Sequence, residues 1–354
     1  MVLSELTVGV VVAGVAGGMI GAAIGALPAL SLAGVTIVVG EATGGLVGSA
    51  DGTTAVGVFD VTAAPLEAVG LTGAVGLGPV LGPHTAFAGG VGAAAYAGRK
   101  ETFDTGFRYH QAKQIAEPLP SRPAVLLVGG AFGLFGVGLA RVAAGLELPV
   151  DPIALTVVVS AFAHRIALGY PLVGRVRDLD RPLLDMSPFE KRQYWGDEEN
   201  ETAQGTGGRH VVEPWLPDHY EWGNVAVLGV AVGLGSGYVA LATGSRFLAF
   251  GLALTSLLFL ALGAFSLPVT HHMALPASIA ALAVDAEPVV GLAVAAVFGA
   301  LAAVIGELAQ RVLYAHADTH LDPSFVSLLV TSLLLAVLVT VGVFEGGPVP
   351  YPGL

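Results

Sequence analysis

Gly82-Pro83-His84-Thr85-Ala86-Phe87-Ala88-Gly89 and Thr270-His271-His272-Met273-Ala274-Leu275-Pro276-Ala277 are the two stretches on which this chain's architecture turns. Each follows an apolar run broken by proline, Pro79 and Pro83 in the first case and Pro268 in the second. Each opens an unusually short apolar segment of about 15 residues, where a full span needs about 20. A loop and two full apolar runs come next in both. Aligned on the histidines, apolar runs two to six fall against runs seven to eleven. A unit of five segments is odd, so the second copy is expected upside down relative to the first. Short, Gly/Pro-interrupted segments at matched positions of inverted repeats point to a secondary transporter's binding site. A helix broken inside lipid bares backbone N–H and C=O groups, tolerable only where they meet an ion, a substrate or water. The competing reading is chance similarity in Ala/Gly/Leu-rich sequence, with prolines at ordinary helix ends.

The composition around these stretches sets the class. Of 354 residues, 54% are hydrophobic and only 12% charged, with a mean hydropathy of +0.77. Soluble domains carry roughly 25% charged residues, so a water-soluble globule is excluded. The 50 glycines lie inside apolar segments without a three-residue period, which excludes collagen and disorder. The expected class is an all-α polytopic membrane protein. Its polar residues comprise 27 Asp+Glu against 15 Lys+Arg, and only Lys100, Lys113 and Lys191 are lysines. Such a carboxylate-rich, lysine-poor surface resembles proteins of halophilic archaea, where salt screens the repulsion. A net charge of −12 argues against nucleic acid as a partner. With no cysteine, disulfides, thiolate metal sites and cysteine nucleophiles are excluded.

At about 20 residues per span the apolar runs number about eleven: 7–27, 30–49, 63–82, 84–98, 124–146, 152–172, 224–243, 246–266, 271–285, 288–313 and 324–345. Met1 to Leu6 hold no Lys or Arg, so the first run is expected to be a membrane helix and not a cleaved signal. The fold expected is two inverted five-helix repeats plus an N-terminal helix. The halves are 1–172 and 224–354, joined by a polar linker at 173–223 whose stretch 195–210 is Gly-rich.

The polar stretches 99–122 and 173–223 together hold eleven of the fifteen Lys and Arg residues. The positive-inside rule puts both in the cytoplasm. Phe103, Phe107 and Ile115 at near-helical spacing suggest that 99–122 lies as a helix on the headgroups. Counting crossings places the N-terminus inside and the C-terminus outside a multi-pass cell-membrane protein. Gly14, Gly18, Gly21 and Gly25, then Gly40, Gly44 and Gly48, then Gly129, Gly133 and Gly136 mark helix faces suited to close packing, and a homo-oligomer is expected from them.

Ionisable side chains inside spans cost roughly 2.5–3.5 kcal/mol each and by default mark function. Glu41 and Glu307, each after a glycine, are candidates for a cation or proton site. The alternative for each is a structural pair with an arginine. His84, His271 and His272 sit at the expected breaks, able to donate, accept or titrate. His164 and Arg165 interrupt the sixth run, where Arg165 could neutralise an anionic solute or pair with a carboxylate. Arg141 and Arg311 read as snorkelling to headgroups, and Glu67 as interfacial.

His316-Ala-Asp318-Thr-His320-Leu-Asp322 alternates so that His316, Asp318 and His320 could hold a divalent metal if extended. The plainer account is a wet loop with capping residues before Pro323. No phosphate loop, His-Glu-x-x-His or Gly-x-Ser-x-Gly is present. The expected function is a secondary transporter or channel-like permease in the lipid bilayer. It moves a small solute or ion, with sodium or a proton as coupling ion. The alternatives are an intramembrane metal enzyme using His316, Asp318 and His320, and a structural oligomer; enzymatic activity is the weaker expectation.

Overall fold

The computed structural model describes residues 7–47, 70–100, 111–119, 122–174, 183–195, 209–264, 266–284 and 286–345. Among them the architecture is helical, apart from one antiparallel pair of two-residue strands, Tyr194–Trp195 with Arg209–His210. The long helices are α1 (Val8–Ile24), α2 (Ala26–Val47), α3 (Ala88–Arg99), α4 (Pro123–Gly145), α5 (Pro152–Leu168), α6 (Trp222–Thr243), α7 (Leu248–Ala261), α8 (His271–Ala283), α9 (Pro288–Ala309) and α10 (Pro323–Thr340), with a single helical turn at Ser187–Glu190. A wider π turn, Pro83–Phe87, leads into α3, and another, Gln310–Tyr314, extends α9.

Local chemistry explains the boundaries. Thr7, Asp151 and Asp322 cap α1, α5 and α10 by accepting from backbone N–H groups that have no partner in the first turn. Proline opens α4, α5, α9 and α10, where its missing N–H costs nothing. A single residue, Gly25, separates α1 from α2, and its φ of 92° is open to glycine alone at little cost.

Among the described residues, five helices are long and apolar enough to cross a membrane: Ala26–Thr43 within α2, α4, α6, α9 with its π turn, and α10. α1, α5 and α7 are apolar but shorter, at 17, 17 and 14 residues. The eleven expected runs are therefore not eleven equivalent rods. Run 63–82 departs most: residues 63–69, with Glu67, lie outside the described residues. The rest makes a π turn at Thr72–Gly76 and then irregular chain to Gly82.

Packing follows the small residues. α1 lies antiparallel to α4, Gly18 against Gly129 and Gly133, and Gly14 against Val137. α6 lies antiparallel to α9, Gly229 against Gly299 and Gly233 against Ala295. α3 rests on the first pair through Gly89, which touches Gly18 and Gly129. α8 rests on the second through Ser278, which donates to the Ser236 carbonyl at 3.3 Å. α2 crosses α7 antiparallel, Gly34 at Leu254 and Gly251 at Ile37. α5 meets α10 where the Asp151 N–H donates to Ser332 Oγ at 2.9 Å. Ile37, Leu77, Phe87, Phe250, Leu254 and Phe325 form the common core. Large apolar side chains cover the outside instead, among them Leu127, Ile166, Val227 and Val297. That surface has the character a membrane-associated helical protein needs, since a soluble protein rarely exposes so much apolar area.

The polar stretches are described in part. The described part of 99–122 is no headgroup helix. It is one 3₁₀ turn at Gln111–Lys113 followed by chain clamped to the α1–α2 corner. There Leu27 N–H donates to the Ile115 carbonyl at 2.9 Å, and Leu119 N–H to that of Ala22 at 3.1 Å. Phe103, Phe107 and Arg108 lie outside the described residues. The start of α1 also lies away from this stretch. Because α1 runs antiparallel to α4, Thr7 lies at the opposite end of the pair from residues 111–119. The polar stretches do share a side, joined by a 3.1 Å Lys113–Glu213 ion pair. Residues 196–208 of the Gly-rich linker lie outside the described residues.

Candidate functional site

Two half-length helices, α3 and α8, begin inside the bundle. α3's π turn starts beside the middle of α4, where the His84 carbonyl sits on Gly136 and leaves no room for a Cβ. α8 starts partway along α9, with the His272 ring on Gly306. The two starts converge on Phe325 of α10, whose ring centroid lies 5.6 Å from that of Phe87 and 5.8 Å from that of His271.

Around this junction runs a buried polar chain. His271 Nε2 lies 2.6 Å from Ser324 Oγ, and Ser324 donates to Asp322 Oδ1. The same carboxylate oxygen caps α10 through the Ser324 N–H at 2.8 Å. Its other oxygen, Oδ2, is 3.5 Å from His320 Nε2. All four residues are at most 4% exposed. Nδ1 of His271 and both ring nitrogens of His320 are buried with no hydrogen-bond partner. Tyr314 stands edge-on to His320 at 5.4 Å, and Lys113 lies over the Tyr314 ring at 4.1 Å.

A small cavity flanks each end of the chain. One, about 30 Å³, is lined by His272, Glu307, Gln310, Trp215 and Met273, and reaches the partly exposed His219. The other, about 10 Å³, lies against Phe87, Ser160, His320 and Asp322. A water molecule needs roughly 10–15 Å³ by this measure, so the first holds two or three water-sized species and the second about one.

The expected charge cluster is not assembled. Glu41 bridges Thr72 Oγ1 at 2.7 Å and Ser245 Oγ at 2.6 Å, tying α2 to the corner after α6. Glu307 belongs to the other end of the bundle, where it accepts from Arg311 Nε at 2.6 Å and Gln310 Nε2 at 3.1 Å. That is the arginine pair weighed as its alternative. Arg311 also donates to the Leu184 and Tyr220 carbonyls and stacks over Trp222, so it is held inside instead of snorkelling.

Arg165 is fully buried, and its donors serve Thr319 Oγ1 and the carbonyls of Leu172, Leu313 and Thr319. It clamps the 313–319 turn to α5. His164 packs edge-on to Phe132 with neither ring nitrogen bonded, and His84 Nδ1 is likewise buried without a partner.

The metal set is not assembled either. His316 Nε2 lies 3.1 Å from the Leu183 carbonyl, Asp318 faces Arg165, and His320 turns to Asp322. Among the described residues no three His, Asp or Glu side chains are grouped to hold a metal. The heptad packs as turns ending in a cap, so its alternation never becomes a strand.

Sequence reasoning missed Ser324 and read Asp322 only as a cap. The signal was present in Asp322-Pro323-Ser324, a helix start placed directly after a histidine-rich heptad.

Residues 1–351 match a family model described as a family of unknown function, DUF7973, and the chain belongs to that family. No curated protein and no solved structure matches the chain.

Proposed function

We propose that this member of DUF7973 is a multi-pass secondary transporter or permease of the cell membrane, built from two inverted five-helix repeats. The carrying observation is the pair of half-helices that start inside the bundle around buried, partly unbonded histidines. The repeat pairs α1–α2–α3–α4–α5 with α6–α7–α8–α9–α10. Matching contacts support it. A Cβ on Gly133 would strike the Gly14 carbonyl and the Gly18 backbone, and one on Gly299 would strike the Gly229 carbonyl and the Gly233 backbone. In the half-helices His84 corresponds to His272, since Gly89 packs towards Gly129 as Ala277 does towards Ala295. α2 crosses α7, and α5 meets α10, both antiparallel, as an axis in the membrane plane requires. This pairing brings α1 into the first repeat and leaves residues 63–82 as the extra segment.

The permeant is an ion or small solute taken from the His219 side through the Trp215–His272 cavity. Both cavities are narrow, so a larger solute requires the bundle to open. The metal-enzyme alternative has lost its donor set, and the glycine faces expected to drive oligomers are largely consumed within the chain.

Proteoliposomes under an imposed proton or sodium gradient provide the test, across a panel of ions, amino acids, organic acids and sugars. Gradient-driven uptake of at least one solute or ion is expected. Uptake no greater than in empty liposomes across the panel would sink the proposal.

A further inference from the structure

We propose that His271, Ser324 and Asp322 form a proton relay, the coupling-ion site of the transporter proposed above, linking the cavity at His272 to the one at His320. The inference rests on that reading for its role in coupling, and on geometry for the relay itself.

Hydrogen-bond direction fixes the resting state. Ser324 donates to Asp322 Oδ1, so its Oγ is free to accept, and the 2.6 Å contact makes His271 Nε2–H the donor. His271 Nδ1 then carries a lone pair with no partner. A proton arriving from the His272 side forms a bond to Nδ1. The Nε2–H bond breaks as that proton passes to Ser324 Oγ, and the Ser324 proton passes to Asp322 Oδ1. One proton has entered: Asp322 is neutral, His271 is the Nδ1–H tautomer, and Ser324 now donates to Nε2. Onward release needs the carboxyl to turn its proton to His320, whose Nε2 is 3.5 Å from Oδ2. The two inner transfers, His271 to Ser324 and Ser324 to Asp322, run along existing hydrogen bonds, while entry at His271 Nδ1 and release at His320 Nε2 each need a partner to move into reach; the buried carboxylate loses its charge on loading.

The groups around the relay leave it the open path. α9 contributes Glu307, already paired with Arg311, and Tyr314. Lys113 is held by Glu213 and the Tyr314 ring. α5 contributes His164 and the fully engaged Arg165, while Asp318 faces Arg165. α7 and the π turn before α3 place aromatic rings here, Phe250 against His271 and Phe87 against His320. His272 stands 5.9 Å from His271, ring to ring, and lines the outer cavity.

Infrared difference spectroscopy on the purified full-length protein, acidified from about pH 9 to about pH 2, reads the loading directly. A protonated-carboxyl C=O component, resolved from the other titrating carboxyls as the difference between the wild type and Asp322→Asn, is expected to rise on acidification, the substitution keeping the helix cap. Ser324→Ala should slow deuterium exchange of that band at least about tenfold, and Ser324→Thr should restore it. Melting temperatures of the three variants check the fold. A carboxyl spectrum that Asp322→Asn leaves unchanged, or exchange of the Asp322 component unaffected by Ser324→Ala, overturns the relay. Sodium-driven uptake with a silent band would remove the relay and leave transport standing. A relay band without uptake of any solute or ion would do the reverse.

Discussion

Arg165 shows how a single residue changes meaning once its neighbours are known. A buried arginine in an apolar run marks a candidate for binding an anion. Here its guanidinium is spent on acceptors from Leu172, Leu313 and Thr319, up to 154 residues away in the chain. Lysine has one ammonium and no fork, so it cannot reach acceptors spread over three directions. Arg165→Lys should therefore destabilise the protein by about 3 kcal/mol, the cost of stranding two or three buried acceptors, measured as a lowered melting temperature in detergent. An Arg165→Lys protein that melts like the wild type but has an altered solute affinity would return the residue to binding. The sequence flags such a residue by its cost in lipid. It is silent about partners, because those come from a turn that only the tertiary fold brings close. Ser324 is the converse case: as a small polar residue after a proline it reads as part of a helix start. Its contact with His271, 53 residues away, gives it the role argued above.

Helices follow from local rules, so they were largely legible; their partners were not. Gly14, Gly18 and Gly21 stand at helical spacing and announce a close-packed face, but half the apolar runs carry similar faces. The choice of α4 as partner emerges only from shape. In lipid no hydrophobic drive separates the right pairing from a wrong one, and backbone approach decides. Gly133 and Gly299 are the matched crossing points, each with a carbonyl where a Cβ would go, whereas Gly138 and Gly235 face open space. Gly133→Leu and Gly299→Leu should each destabilise by about 1–3 kcal/mol or more through overpacking, while Gly138→Leu and Gly235→Leu should leave melting and monodispersity near wild type. Thermal melts of the four variants check this. A large loss at Gly133 with none at Gly299 would contradict equivalent roles for α1–α4 and α6–α9. The half-helices were legible as short segments with proline and histidine at their starts. Their depth was not, because it depends on where the start docks along α4 or α9.

At the scale of the molecule, direction of travel separates two arrangements that composition cannot distinguish. Eleven full crossings would return the N-terminus to the side of residues 99–122 and 173–223. If residues 70–99 cross only once, as one interrupted segment, the start of α1 and residues 111–119 are expected on opposite sides, since α1 runs towards residues 111–119. The chain has no cysteine, so single substitutions can be labelled without background. Val8 is 81% exposed at the start of α1, Val289 is 75% exposed at the start of α9, and Lys191 is exposed beside the 184–190 turn that Arg311 and Tyr220 hold. In sealed right-side-out vesicles, a membrane-impermeant maleimide should label Val8→Cys and Val289→Cys, and should reach Lys191→Cys only after lysis. The direction follows from the clustered Lys and Arg, which hold the Lys191 side in the cytoplasm. Labelling of Val8→Cys and Lys191→Cys from the same side would restore the full-crossing count. With it would go the inverted pairing, since α1 could not then descend beside α4 as α6 rises beside α9.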